Sequence, residues 1–411
     1  MKRWLVLIGL LVLVGAIGLQ AAQVQLPETI KIGGPISLSG KYAKEGELTF
    51  WGVQAGIKWI NEVYGGVSLG EAKVPIEYIY YDDESKKENV TSLLERLITV
   101  DGVKFLLAPY SSGLTLAGAP VADKYGALYM SIGGASDRIF EQGYRYVVQT
   151  IGPGSRYQLG PLDMVKALDP EAKRVALLFE DSEFARTVLR GAKAHAQELG
   201  FEIVFERTYP KGVKDLTPVL TEMAATEPEV LIGGGHFADG QLLALQMRQL
   251  GIEVKAASIL VAPTLPAFYE ALGDMANGFM APAHWEIGVK FSPETAWPWF
   301  GPTQEWFIEA VREISGGTDP DYHSACGAAA VLAYVKAIEM AYSIAGTIDT
   351  DAVREAMNYL KFMSFYGRWG IDPETGKQID HEMVLIQWQE GKKEIVWPPG
   401  AQTAPPLYPM P

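Results

Sequence analysis

The strongest constraint on this chain is an alternation of strand and helix, without hairpin signals, that is met twice along its length. Residues 29–35 read as a β-branched strand running into the small-residue loop Ser37-Leu38-Ser39-Gly40, and Phe50, Val53, Ile57 and Ile60 then recur at helical spacing until Gly65-Gly66. Residues 74–80 give a second strand, Val90, Leu93, Leu94, Leu97 and Ile98 a second helix face, and residues 104–107 a third strand. A second series begins past residue 155, with strands at 174–179, 201–205 and 230–232 and helices at 187–199 and around Leu216, Val219, Leu220 and Met223. Such alternation requires parallel sheets with helices on both faces and right-handed crossovers.

The two series have matching ends. Helix and strand lead to Tyr110-Ser111-Ser112-Gly113 in the first and to Gly233-Gly234-Gly235-His236 in the second. Ligands of doubly wound sheets sit beyond the carboxyl ends of the strands, so two facing lobes would bring both loops to one cleft. The expected fold class is α/β, two doubly wound parallel-sheet lobes joined by three crossings. The first lobe is expected over 27–148 plus 280–364 and the second over 149–279 plus 365–397. Crossings are placed at the Gln149-Thr150-Ile151-Gly152-Pro153-Gly154 run, near Gly278, and at Phe365-Tyr366-Gly367. The proline-rich end, 398–411, lacks apolar periodicity and reads as an extended surface tail or a partly disordered one.

The 411 residues are 48% hydrophobic and 20% charged, enough to bury a large core over two domains. A net charge of -14 repels phosphate backbones and anionic membranes, so no nucleic-acid partner is expected. Lys2 and Arg3 precede an apolar run at 4–19 that ends in Gln20-Ala21-Ala22-Gln23, the pattern of an export signal over 1–22, with an uncleaved anchor as the alternative. The rest is expected to be periplasmic or extracellular. No later segment has the ~20 continuous apolar residues of a membrane span. The single cysteine, Cys326, sits in a small-residue helical run and reads as a packed, inert thiol.

Signatures of catalysis are absent: there is no P-loop, no GxSxG elbow and no histidine pair at metal-ligand spacing. The chain is therefore expected not to be an enzyme and to need no metal or cofactor. The five histidines are scattered, and each reads as a surface or structural residue. Tyr110-Ser111-Ser112 offers hydroxyls and free backbone N–H groups where a helix begins near Leu114, a seat for an anion; a simple helix cap by Ser112 is the competing reading. Gly133, Ala135 and Ser136, in Gly133-Gly134-Ala135-Ser136-Asp137, form a second loop whose glycines admit a ligand close to the backbone.

These residues resemble the periplasmic binding proteins of the branched-chain amino acid type, the type I fold of amino acid and amide importers. The resemblance rests on Ile30-Lys31-Ile32-Gly33 with Ser39-Gly40, Ile60-Asn61-Glu62 with Gly65-Gly66, Tyr81-Asp82-Asp83, Tyr110-Ser111-Ser112 and Gly234-Gly235-His236. It implies an extracytoplasmic substrate-binding component of an ABC importer, working with permease transmembrane subunits and expected as a monomer. It also implies that Ser112 and the loop from Gly133 to Ser136 hold a ligand carboxylate, with Phe184 and His236 facing it from the second lobe. The stretch expected to supply an acid for a ligand ammonium reads Ala257-Ser258-Ile259-Leu260-Val261, so that role passes to Asp239, Asp181 or Glu45, or the ligand is a carboxylate without an amine. Glu45 has the competing reading of an exposed acid at a helix start. Tyr110, Phe184, His236 and Trp51 are candidates to line an aromatic-tolerant pocket. A sensor domain of the same fold, an amide or urea binder, and a hydrolase built on Ser112 or Ser136 are the alternatives, the last lacking an adjacent base.

Overall fold

The computed structural model describes residues 26–291 and 297–411, so the expected export signal lies outside the described residues. The first lobe is built in the order β1 (Ile30–Ile36), α1 (Ala43–Lys58), the antiparallel pair β2 (Val67–Leu69) and β3 (Ala72–Val74), β4 (Ile76–Asp82), α2 (Lys87–Thr99), β5 (Phe105–Leu107), α3 (Ser112–Lys124), β6 (Leu128–Ser131) and β7 (Val147–Gln149). Its sheet is parallel throughout, ordered β4-β1-β5-β6-β7. The chain then forms α4 (Leu159–Leu168), β8 (Arg174–Glu180), α5 (Glu183–Glu198), β9 (Glu202–Tyr209), α6 (Thr217–Ala224), β10 (Val230–Gly234), α7 (Phe237–Gln249), β11 (Ala256–Leu260), α8 (Pro266–Leu272) and β12 (Met280–Ala283). It returns as α9 (Gln304–Ser315), α10 (Tyr322–Ala345), α11 (Thr350–Tyr359) and the hairpin β13 (Phe362–Ser364) and β14 (Gly367–Trp369), and ends with β15 (Val384–Gln389) and β16 (Lys392–Trp397).

The second sheet runs β16-β15-β12-β11-β10-β8-β9, parallel except where β15 joins β12 and β16 joins β15. Central strands such as β10 and β11 are buried along their whole length, as parallel strands covered on both faces must be. Strand order reverses between β1 and β5 in one lobe and between β8 and β10 in the other. At those switch points the loops diverge to opposite faces and leave a crevice. Ser37 and Tyr110 flank the first crevice; Glu180, Ser182 and His236 flank the second.

Two expected lobe boundaries shift. The second lobe extends past 279, because β12 fills the gap between β11 and β15, with Ser258 opposite Met280 and Met280 opposite Gln387. Its fully buried Met280-Ala281-Pro282-Ala283 run needs a neighbour on each side, and only the second sheet offers both. Phe365-Tyr366-Gly367 forms the turn of the β13–β14 hairpin rather than a crossing. The last crossing falls between β14 and β15, where Gly376 O accepts from Gln149 N at 2.9 Å and Gln149 Oε1 accepts from Gln378 N at 3.1 Å. The first and third crossings are thus clasped together.

The tail packs on the second lobe. Met410 N donates to Lys255 O (2.8 Å), Leu407 N to Gln387 Oε1 (2.8 Å) and Tyr408 OH to Asp169 Oδ2 (2.9 Å). Among the described residues α10 is the one helix long and apolar enough to cross a membrane, and it is a core helix, packed along α1 and buried over most of its length. Cys326 lies within it, fully buried, and desolvation pushes its thiol up to about 12. A thiol so placed cannot present a thiolate near neutrality. A disulfide reagent is therefore expected to leave the native protein unlabelled and to titrate one thiol after denaturation; rapid labelling of the folded chain would contradict this burial.

Candidate interlobe binding site

The site begins with Ser112. The residue that caps α3 is Ser111, in extended backbone, so Ser112 is free of capping duty. Its Oγ accepts from Ala135 N and Ser136 N, both at 3.0 Å, and so ties the loop after β6 to the start of α3. Gly133 lies beneath the Tyr110 ring, where a Cβ would come within 2.8 Å of it. Ser136 reaches across to the second lobe, its Oγ 3.0 Å from Glu183 Oε1 and 3.0 Å from Thr187 Oγ1. Arg138 to Glu183 (3.3 Å) and Lys41 to Glu180 (2.9 Å) also bridge the lobes, which are closed on one another.

Rings complete the site. Tyr110 meets His236 (centroids 5.9 Å), His236 meets Phe184 (5.9 Å), Phe184 meets Tyr157 (5.1 Å), Tyr157 meets His284 (4.9 Å), His284 meets Tyr322 (5.5 Å), Tyr322 meets His323 (4.0 Å), and His323 returns to Tyr110 (5.2 Å). Seven rings from both lobes and the crossings therefore close a circuit, with Tyr42 outside it, edge-on to Tyr110 and tilted against His236. Most of these contacts are edge-to-face, the arrangement that aromatic quadrupoles favour.

The histidines are held by carboxylates. Glu180 Oε2 lies 2.5 Å from His236 Nδ1, and Asp321 Oδ2 lies 2.5 Å from His323 Nδ1. Burial opposes ionisation of Glu180, but the hydrogen bond and charge of His236, with Lys41 behind them, hold its carboxyl down at about 2. Desolvation likewise works against Asp321, and the His323 charge and hydrogen bond outweigh it and lower the group. Desolvation drives His284 well below its usual range, reinforced by His381 and His323, so its imidazole is neutral. Buried with no partner are Nε2 of His236, Nε2 of His323 and both ring nitrogens of His284.

Sequence reasoning placed Ser112, Tyr110, Gly133, Ala135, Ser136, Phe184 and His236 in one group, and the fold brings them together. Glu45, read there as a possible exposed acid, is only 2% exposed, and its Oε1 accepts from Phe237 N across the lobes at 3.3 Å. Three other candidates are turned to other tasks. Trp51 is six positions beyond Glu45, about 240° around the helix, and packs half-buried on the core. Asp239 is spent inside the second lobe, accepting from His236 N (2.9 Å) at the start of α7 and from Tyr209 OH (2.7 Å). Asp181 pairs with Arg186 at the surface.

Of the five histidines, each read as surface or structural, four are buried, and three belong to the ring circuit. Glu180, His236 and Asp239 even present three ligand-type atoms within 4.8 Å of one another. The Lys41 ammonium supplies the positive charge at that cluster and Tyr209 occupies Asp239, so the protein itself balances the group. Tyr157, His284, Tyr322 and His323 escaped notice because each comes from a crossing or a helix start with no local motif. The one available signal was Asp321, a helix-capping acid immediately before Tyr322-His323.

Two facing βα lobes that close over a cleft at their switch points define a solute-binding protein. A family model described as periplasmic binding protein matches residues 29–393. The chain belongs to that family. It is similar to the Leu/Ile/Val-binding protein homolog 8 of Brucella melitensis, 25% identical over 393 residues that cover 91% of this chain and 92% of the relative. Among solved structures it resembles the branched-chain amino acid transporter substrate-binding protein LivJ of Streptococcus pneumoniae in complex with isoleucine (TM-score 0.74, 21% identity, 89% of this chain and 97% of that one). It also resembles an ABC transporter solute-binding protein of Rhodopseudomonas palustris in complex with 3,4-dihydroxybenzoic acid (TM-score 0.73, 21% identity, 89% and 95%). The relatives are binding proteins of transporters, not enzymes, and the family works outside the cytoplasm.

Proposed function

We propose that this protein captures a small carboxylate-bearing solute in the interlobe cleft and hands it, as a monomer, to the membrane subunits of an ABC importer. The observation that carries this reading is the Ser112 seat: two backbone N–H groups and a hydroxyl converge beside the start of α3. A carboxylate arriving there takes the N–H donors of Ala135 and Ser136 while the Ser112 hydroxyl turns to donate. Each charge-assisted bond is worth about 1.5–3 kcal/mol, and the half-charge of the helix terminus adds to it. Ser136, already bonded to Glu183 and Thr187, couples occupancy of the seat to closure of the lobes.

Thermal unfolding in the presence of amino acids, aromatic acids, dicarboxylates and amides tests this. A solute at 100 times its dissociation constant stabilises by about 2.7 kcal/mol, a shift of several degrees. The expected result is a rise with one or more carboxylates and none with the matching primary amides. Equal response to acid and amide, or silence across the carboxylates, rejects the carboxylate seat.

A further inference from the structure

Within the ring circuit three imidazoles hold ring nitrogens that no described residue satisfies. His236 is 3% exposed, His284 and His323 each 1%. A buried polar atom without a partner costs about 1–3 kcal/mol, and three such side chains in one circuit of rings are not an ordinary core arrangement. Two of the three are moreover fixed in orientation. The Nδ1 edge of His236 is turned to Glu180 and that of His323 to Asp321, so in both rings Nε2 is the free edge, on either side of Tyr110. His284, from the crossing after β12, adds a third free edge next to Tyr157 and Tyr322.

The surroundings narrow the solute further. β11, which faces this end of the second lobe, is apolar apart from Ser258, and Ser258 Oγ is spent on Gln158 Oε1 at 2.7 Å. Of the cleft carboxylates, Glu180 and Asp321 are committed to histidines and Asp239 to Tyr209. Glu183 holds Ser136 and Arg138, and Glu45 has a single backbone donor, at 3.3 Å. An ammonium needs three acceptors in one place, and a compact aliphatic side chain needs apolar walls. Edge-on rings with interspersed imidazole nitrogens suit a flat π-face whose rim carries a group able both to donate and to accept. A hydroxyl does both, and so meets an imidazole edge in either tautomer.

We propose that the solute is a hydroxylated aromatic carboxylate, its acid group on the Ser112 seat, its ring enclosed by the seven-ring circuit, and its hydroxyl received by the free imidazole edges of His323 and His284. This rests on the carboxylate reading above and specifies it.

Calorimetric titration of the purified full chain with benzoate, 3-hydroxybenzoate, 4-hydroxybenzoate, 3,4-dihydroxybenzoate, leucine, phenylalanine and glycine betaine tests it. At least one hydroxybenzoate is expected to bind tenfold or more tighter than benzoate and tighter than leucine, phenylalanine or the quaternary ammonium betaine. His323→Phe and His284→Phe, which keep a ring in the circuit, are expected to reduce that hydroxyl preference, the ratio of hydroxybenzoate to benzoate affinity in the same variant, to less than threefold. Unfolding temperatures of both variants identify any that misfolds; His323→Gln, which keeps a polar edge, then takes its place and is expected to retain part of the preference. Equal binding of benzoate and all hydroxybenzoates, tighter binding of leucine, phenylalanine or betaine, or a hydroxyl preference that survives both substitutions overturns the proposal. Loss of all carboxylate binding in Ser112→Ala, with amino acids preferred in the parent protein, overturns the aromatic assignment alone. Silence toward every carboxylate fails the underlying reading instead.

Discussion

Replacing Ser112 with alanine is expected to weaken carboxylate binding by about 2 kcal/mol, roughly thirtyfold, and also to lower the stability of the ligand-free protein. The second effect follows from the two bonds that Ser112 Oγ accepts. Ala135 and Ser136 are buried, and truncation strands both of their N–H groups at about 1–3 kcal/mol apiece before any relaxation. A melting temperature lower by several degrees, together with the affinity loss, is the signature of a residue that organises the seat as well as touching its occupant. Ser112→Thr, which keeps the oxygen, should recover most of the stability. A variant as stable as the parent would mean that the Ser112 hydroxyl does not hold the loop after β6.

The larger structural effect is expected at Gly52. On α1 it faces the first turn of α10, where a Cβ would lie 1.9 Å from Ser324 O and 2.5 Å from its C and Cα. Those are backbone atoms, so no rotamer change relieves the clash. Gly52→Ala must push α1 and α10 apart, against the helix-propensity gain of about 1 kcal/mol that alanine brings in an open helix. A net loss of about 3 kcal/mol or more is expected, read as a fall of about 4 °C or more in the melting temperature. Because His323 precedes Ser324, affinity for the solute should fall as well. An unchanged melting temperature would show that the two helices do not approach so closely.

The Lys41, Glu180 and His236 chain gives closure an electrostatic element. Lys41 comes from the first lobe and Glu180 from the second, and the pair lies at the lobe boundary with the Glu180 side chain fully buried. A buried carboxylate is costly unless compensated, so opening the cleft, which removes Lys41, leaves Glu180 to His236 alone. The closed state is favoured to that extent even before the solute adds its own bridging contacts through Ser136.

How much of this could be read from the residues alone differs by level. The alternation of apolar strands and amphipathic helices dictated parallel sheets in two lobes, because period and breaker residues are local properties written into every segment. Ser112, Tyr110 and the glycine loop were legible for the same reason: small and hydroxylic residues directly after a strand end are a local pattern with a local cause. The lobe boundaries were not. Met280-Ala281-Pro282-Ala283 is apolar and would suit either sheet, and only the need of β11 and β15 for a common neighbour assigned it.

The aromatic and histidine circuit was decided wholly by tertiary structure. His236, His284 and His323 stand 39 or more positions apart in the chain, and no spacing rule connects them. They meet because the loop after β10, the crossing after β12 and the first turn of α10 end at the same cleft, and such segments have no hydrophobic period to announce where they will lead. By itself the sequence determined the main strands and helices and their parallel arrangement, and marked Ser112 and the glycine loop as candidates, since each follows from neighbours within a turn or a strand. Which side chains meet between the lobes, and which nitrogens they leave without partners, depended on how two sheets face each other, a long-range packing outcome that no window of residues contains.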